Sequence, residues 1–278
     1  MQIRLPRILA AIIIGACLAL AGGSFQGLFR NPLISPDILG VSAGAGFGAA
    51  LAILLGSNDI VIQIFAFCFG ILSVGIAYFV SMMVKGNRIL SLILAGIAVS
   101  SLTSACLSLS KYVADPNNQL PAITYWLMGS LASVNMNSLF VAAIPMIIGM
   151  VILLLMRWRF NILAMGEEEA QAMGVDTNRA RLLVTVCCTM MTAAAVCISG
   201  TIGWVGLVIP HISRMIVGPD HKRLLPVIVL LGASYLLIID NIARTITNAE
   251  IPIGILTSMI GAPVFIYMLS RQGRKGWT

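Results

Sequence analysis

Three consecutive carboxylates, Glu167, Glu168 and Glu169, stand between Gly166 and Gly174 in a chain with only 10% charged residues. Acidic side chains suit the positive end of a helix, and Gly174 suits the left-handed residue that closes one. A helix of roughly seven residues does not hold in water by itself. Segment 160–178 is therefore expected to rest on another surface, read here as that of a separate ATP-hydrolysing protein. The chemistry is recognition rather than bond-making. Two histidines without an H-E-x-x-H pattern, and no carboxylates paired inside apolar runs, leave no metal or acid–base centre. No G-x-x-x-x-G-K-[ST] cradles a phosphate, so the chain has no phosphate loop of its own, energy must come from elsewhere, and no cofactor is assigned to it. The chain reads as a non-enzyme.

The elements that must position this segment are apolar. Hydrophobic residues make up 59% of the 278, and the mean hydropathy is +1.00. Soluble domains carry about 25% charged residues. Apolar runs lie near 8–29, 37–55, 60–84, 89–110, 139–156, 180–199, 202–217, 224–243 and 252–270. Most are close to the roughly 20 residues that cross a bilayer as helix. The expectation is one all-α transmembrane domain over 1–278, a polytopic bundle of nine spans. The runs holding Pro210 and Gly261-Ala262-Pro263 are expected to be broken helices. All six cysteines fall inside apolar runs and read as small buried hydrophobes.

Loop charge sets the orientation. With nine spans alternating, thirteen Lys and Arg fall on one side, from Arg30 and Lys85 to Arg274 and Lys275; Arg4, Arg7, Lys111 and Arg244 fall on the other. The excess faces the cytoplasm. Segment 160–178 is thereby cytoplasmic and the N-terminus external, which leaves Arg4 and Arg7 outside without a preceding span; a further N-terminal helix is expected to precede this sequence. The net charge of +7 is spread over many loops rather than one stripe, so no nucleic-acid partner is expected.

Several motifs occur in order along the chain: Arg4-Leu5-Pro6-Arg7, Arg30-Asn31-Pro32-Leu33 with Leu39-Gly40-Val41-Ser42, Tyr125-Trp126, Gly206-Leu207-Val208-Ile209-Pro210-His211, and Pro252-Ile253-Gly254 with Gly261-Ala262-Pro263. Together they resemble the permease family of ABC importers for iron–siderophores, haem and vitamin B12. That resemblance implies ten spans per subunit in the family and a homodimer around a central path. It also implies two cytoplasmic ATPase subunits and an extracytoplasmic substrate-binding protein, in a bacterial or archaeal cytoplasmic membrane. It places binding-protein docking at Arg4, Arg7 and Arg244, a cytoplasmic gate at Asn31 and Leu33, and ATPase coupling at Leu163, Gly166, Glu167, Glu168, Glu169, Ala170 and Gly174. The cargo implied first is an iron–siderophore; haem, cobalamin and molybdate are alternatives. From the residues alone, an ion-coupled carrier is the rival, with Asp240 and His211 as its ionisable candidates.

Overall fold

The computed structural model describes residues 4–84, 88–247 and 249–272, leaving aside the side chains at 269, 271 and 272. Lys85, Arg274 and Lys275, counted above for orientation, lie outside the described residues. Twelve α-helices follow one another among the described residues: α1 (Arg4–Phe29), α2 (Val41–Leu54), α3 (Asp59–Met83), α4 (Arg88–Val113), α5 (Gln119–Met128), α6 (Met136–Leu155), α7 (Arg157–Met165), α8 (Glu167–Ala172), α9 (Thr177–Ser199), α10 (Val205–Val217), α11 (His221–Thr245) and α12 (Ile253–Gln272). One 3₁₀ turn, Pro36–Leu39, precedes α2.

Six of these, α1, α3, α4, α6, α9 and α11, are long and apolar enough to cross a membrane; α2, α10 and the Ile253–Met268 part of α12 are apolar but shorter. Each apolar run of the sequence falls on one of these nine helices. Burial separates them into two groups. The most apolar stretches of α1 and α9 are 78% buried, against 28–33% for the other four long helices. The two therefore form the axis of the bundle, and the outer helices turn wide apolar faces outward, as lipid-facing helices do.

Close approach to that axis depends on glycine. A Cβ on Gly22 would lie 1.8 Å from the Gly206 carbonyl oxygen of α10, and one on Gly15 would lie 2.3 Å from the Gly232 oxygen of α11. On α2, a Cβ at Gly44 would meet Ser73 Oγ at 2.1 Å, and one at Gly48 the Phe65 oxygen at 2.5 Å, both on α3. Gly44 and Gly48, four residues apart, thus mark one close seam between α2 and α3, whereas Gly23 and Gly27 on α1 face the side chains of Ile228 and His221.

The expectation of broken helices needs correction. Both α10 and α12 run through their prolines, Pro210 and Pro263. Proline removes one ladder hydrogen bond, but the turns on either side can continue. The interruption instead lies before α10, at residues 200–204, where Gly200 has φ +66° and Trp204 φ +70°. A tryptophan in the left-handed region is strained. It is held by Phe265, whose ring meets it edge-on at 6.1 Å, and by Gly261, which leaves room for the indole on α12.

Candidate functional site

At one end of α1 and α11 the basic residues meet. Arg7, on the first turns of α1, is 6% exposed; its Nε donates to Asp240 Oδ1 at 2.8 Å and its Nη1 to both carboxylate oxygens of Glu250, also at 2.8 Å. Arg244 lies 3.4 Å from the other Asp240 oxygen and donates to Asn241 Oδ1 at 2.7 Å. Asp240 itself is fully buried. The i,i+4 pairing of Asp240 with Arg244 was legible in the sequence; the stronger grip of Arg7 on Asp240 and Glu250 was not. Arg7 is thus committed to its own chain, whereas Arg4, one turn earlier, is exposed and Arg244 half-buried. The network spends Asp240 on a buried ion pair, which removes it as a free ion-coupling carboxylate.

Beside the break before α10, two adjoining cavities of about 220 and 530 Å³ share Asp37, Ile202, Gly203 and Trp204 in their walls. Asp37 sits ahead of α2 and accepts a hydrogen bond from Ser42 Oγ in that helix's first turn. Its charge also suits the helix's positive end. Thr201 Oγ1 donates to the Leu127 carbonyl, and Ile253 N donates to the Gly129 oxygen at 2.9 Å, so α5, the 200–204 segment and the start of α12 converge on one wall. Sequence reasoning missed Asp37 and Trp204; the only signal was a charge and a large aromatic within otherwise small-residue motifs.

At the far end of α1 the chain reverses. Arg30 adopts φ +51°, and Asn31 Oδ1 accepts from Leu33 N at 2.9 Å, a turn closed by the asparagine side chain itself. Asn31 is half-buried and Leu33 is 39% exposed. Gln26 ties this end to α10, accepting from Arg214 Nη2 at 3.1 Å.

Next to it, α7 and α8 fold back on the bundle. Phe160, Ile162, Leu163 and Ala170 are buried, and Phe160 stacks on His221 at 5.7 Å. Asn161 Oδ1 accepts from His221 N at 2.8 Å, while its Nδ2 donates to Asp220 Oδ1 at 2.6 Å. That bond, with help from Lys222 N, holds the exposed Asp220 carboxyl below the usual aspartate range. Gly174 closes α8 with φ +79°, and Asp176 caps α9 by accepting from Arg179 N at 3.0 Å. Of the residues expected to couple, Leu163 and Ala170 thus face inward and position the segment. Glu168 and Glu169 face outward with Met165 and Met173, and Glu167 is held by Arg181 at 2.5 Å.

Comparison with known proteins decides which family this architecture belongs to. The model of the FecCD transport family matches residues 1–271. The chain belongs to that family. Among its FecCD relatives, the molybdate import system permease MolB of Haemophilus influenzae is 46% identical over 275 residues, covering 98% of this chain and 82% of the relative. A Helicobacter pylori permease named for iron chelatin transport is 40% identical over 271 residues, covering 98% and 82%. A solved inward-facing structure described as a metal-chelate type ABC transporter superposes with a TM-score of 0.93 at 45% identity, covering 98% of this FecCD chain and 87% of that one.

Proposed function

We propose that this chain is the membrane-spanning permease subunit of an ATP-driven importer, working as a homodimer with two cytoplasmic ATPase subunits and an extracytoplasmic binding protein. The observation that carries it is the α7–α8 segment. Its inner face is anchored by Phe160, Leu163 and Ala170, and its outer face presents Glu168, Glu169, Met165 and Met173 as exposed side chains. Such an anchored segment passes a push from an ATPase to α1 and α11 rather than deforming locally. ATP and Mg act in the ATPase; none is assigned to the permease.

In this reading all nine apolar helices traverse the membrane, the Arg4 end of α1 is external and residues 160–178 are cytoplasmic, in keeping with the charge bias. Arg4 and Arg244 form the outward part of the docking site for the binding protein. Glu250 covers Arg7 until a partner carboxylate displaces it. Asn31 and Leu33, beside the α1 reversal, close the cytoplasmic side of the path. The cargo is an iron–siderophore or related metal chelate. Molybdate is the second reading, favoured by the 46% identity to the molybdate permease.

Proteoliposomes holding the permease, its ATPase and its binding protein test the class of transport. Uptake of a ferric chelate that needs both ATP and the binding protein is expected. Uptake driven by an ion gradient without the ATPase is the outcome of a secondary carrier. The ligand retained by the purified binding protein, identified by mass spectrometry, separates the chelate from molybdate.

A further inference from the structure

A second basic site lies away from the docking end. Between α3, α4 and α9 is a cleft of about 380 Å³ lined by Tyr78, Ser81, Met82, Arg88, Asn178 and Arg181, among others. Arg181 is 6% exposed, and only its Nη2 is engaged, on Glu167 Oε1 at 2.5 Å; its Nε is buried with no hydrogen-bond partner among the described residues. A buried guanidinium N–H without an acceptor is costly, and native structures rarely leave one so. Arg88 is exposed and donates to Asn178 Oδ1 at 2.6 Å, and both residues line the cleft. Two guanidinia and one amide therefore line the cleft, and among the described residues Glu167 is the one carboxylate paired with them.

We propose that this cleft binds a phosphate-type anion, supplied by the headgroup of an anionic phospholipid or by free phosphate. The guanidinium fork matches phosphate oxygens two at a time, and an acceptor in the cleft would satisfy Arg181 Nε. The surroundings favour the lipid. Met82 and Met83, at the end of α3, are 72% and 71% exposed, and Leu90 at the start of α4 is 55% exposed, so apolar surface for acyl chains adjoins the charged floor. Basic pockets between spanning helices hold acidic headgroups in this way. Because Arg181 also grips Glu167, the first residue of α8, the bound anion stiffens the segment that meets the ATPase.

The test uses the purified chain in a neutral detergent, with the thermal unfolding midpoint read against added phosphatidylglycerol, phosphatidylcholine or inorganic phosphate. Phosphatidylglycerol is expected to raise the midpoint by several degrees and phosphatidylcholine to leave it unchanged. An equal rise with millimolar inorganic phosphate keeps the site and names the free anion as its source. Arg88→Gln, at an exposed position where folding is not at stake, removes most of the rise; Arg157→Gln, an exposed arginine on α7, keeps it. No rise with either anion overturns the proposal, as does a rise undiminished in Arg88→Gln or lost equally in Arg157→Gln. Arg181→Gln, where it folds, abolishes the rise.

Discussion

Arg7 is the residue whose fate the sequence concealed. Its motif marked a helix end, and its placement outside followed from charge counting, but its carboxylate partners lie 233 and 243 residues away. No local pattern announces such a pairing. Asp240→Asn leaves two guanidinia, Arg7 and Arg244, facing the single carboxylate of Glu250, and removing one member of a buried pair costs about 3–5 kcal/mol. A large drop in the detergent melting temperature is expected. Glu250→Gln, at a side chain 43% exposed, costs roughly 1 kcal/mol or less. It also uncovers Arg7, so binding-protein affinity, read by surface plasmon resonance, should rise rather than fall. The Asn161–Asp220 bond carries a pH signature. A carboxyl whose folded pKa is depressed stabilises above its unfolded value, near 3.8, and loses that contribution as pH falls through the lower folded value. Asn161→Ala should therefore lower stability at pH 7 and flatten its fall in acid, which melting curves across pH will register.

Among elements, helix existence was legible and helix integrity was not. Every apolar run became a helix because run length and composition suffice for that. Pro210 and Pro263 misled, since the prolines sit inside continuous helices while the break falls at Gly200 and Trp204. Glycine marks the closest helix approaches, which need backbone room rather than run length. Gly22→Ala places a methyl 1.8 Å from the Gly206 oxygen, against backbone that cannot swing away. Overpacking of this kind costs about 1–3 kcal/mol or more, and loss of folded protein by size-exclusion chromatography is the expected result. Segment 160–178 was half legible: the acidic start, the Gly174 stop and the Asp176 cap could be read, but not that Leu163 and Ala170 face the bundle. Reversing the charge of Glu168 and Glu169 to lysine should leave the melting temperature unchanged and cut substrate-stimulated ATPase activity of the assembled importer at least severalfold. Ala170→Glu, which forces a charge into a fully buried position, should instead lower the melting temperature.

For the whole molecule, orientation and coupling form a single claim. The Phe160, Asn161 and His221 contacts bind residues 160–178 to the bundle, and in the proposed function charge bias turns the segment inward, with its outer face meeting the ATPase. The direct test is a single cysteine at position 168, in a variant with the six native cysteines replaced, probed in right-side-out and inverted membrane vesicles with a membrane-impermeant maleimide. Labelling only in inverted vesicles, and blocked when the ATPase subunit is co-expressed, is the predicted result. Labelling in right-side-out vesicles, or labelling indifferent to the ATPase, contradicts the account.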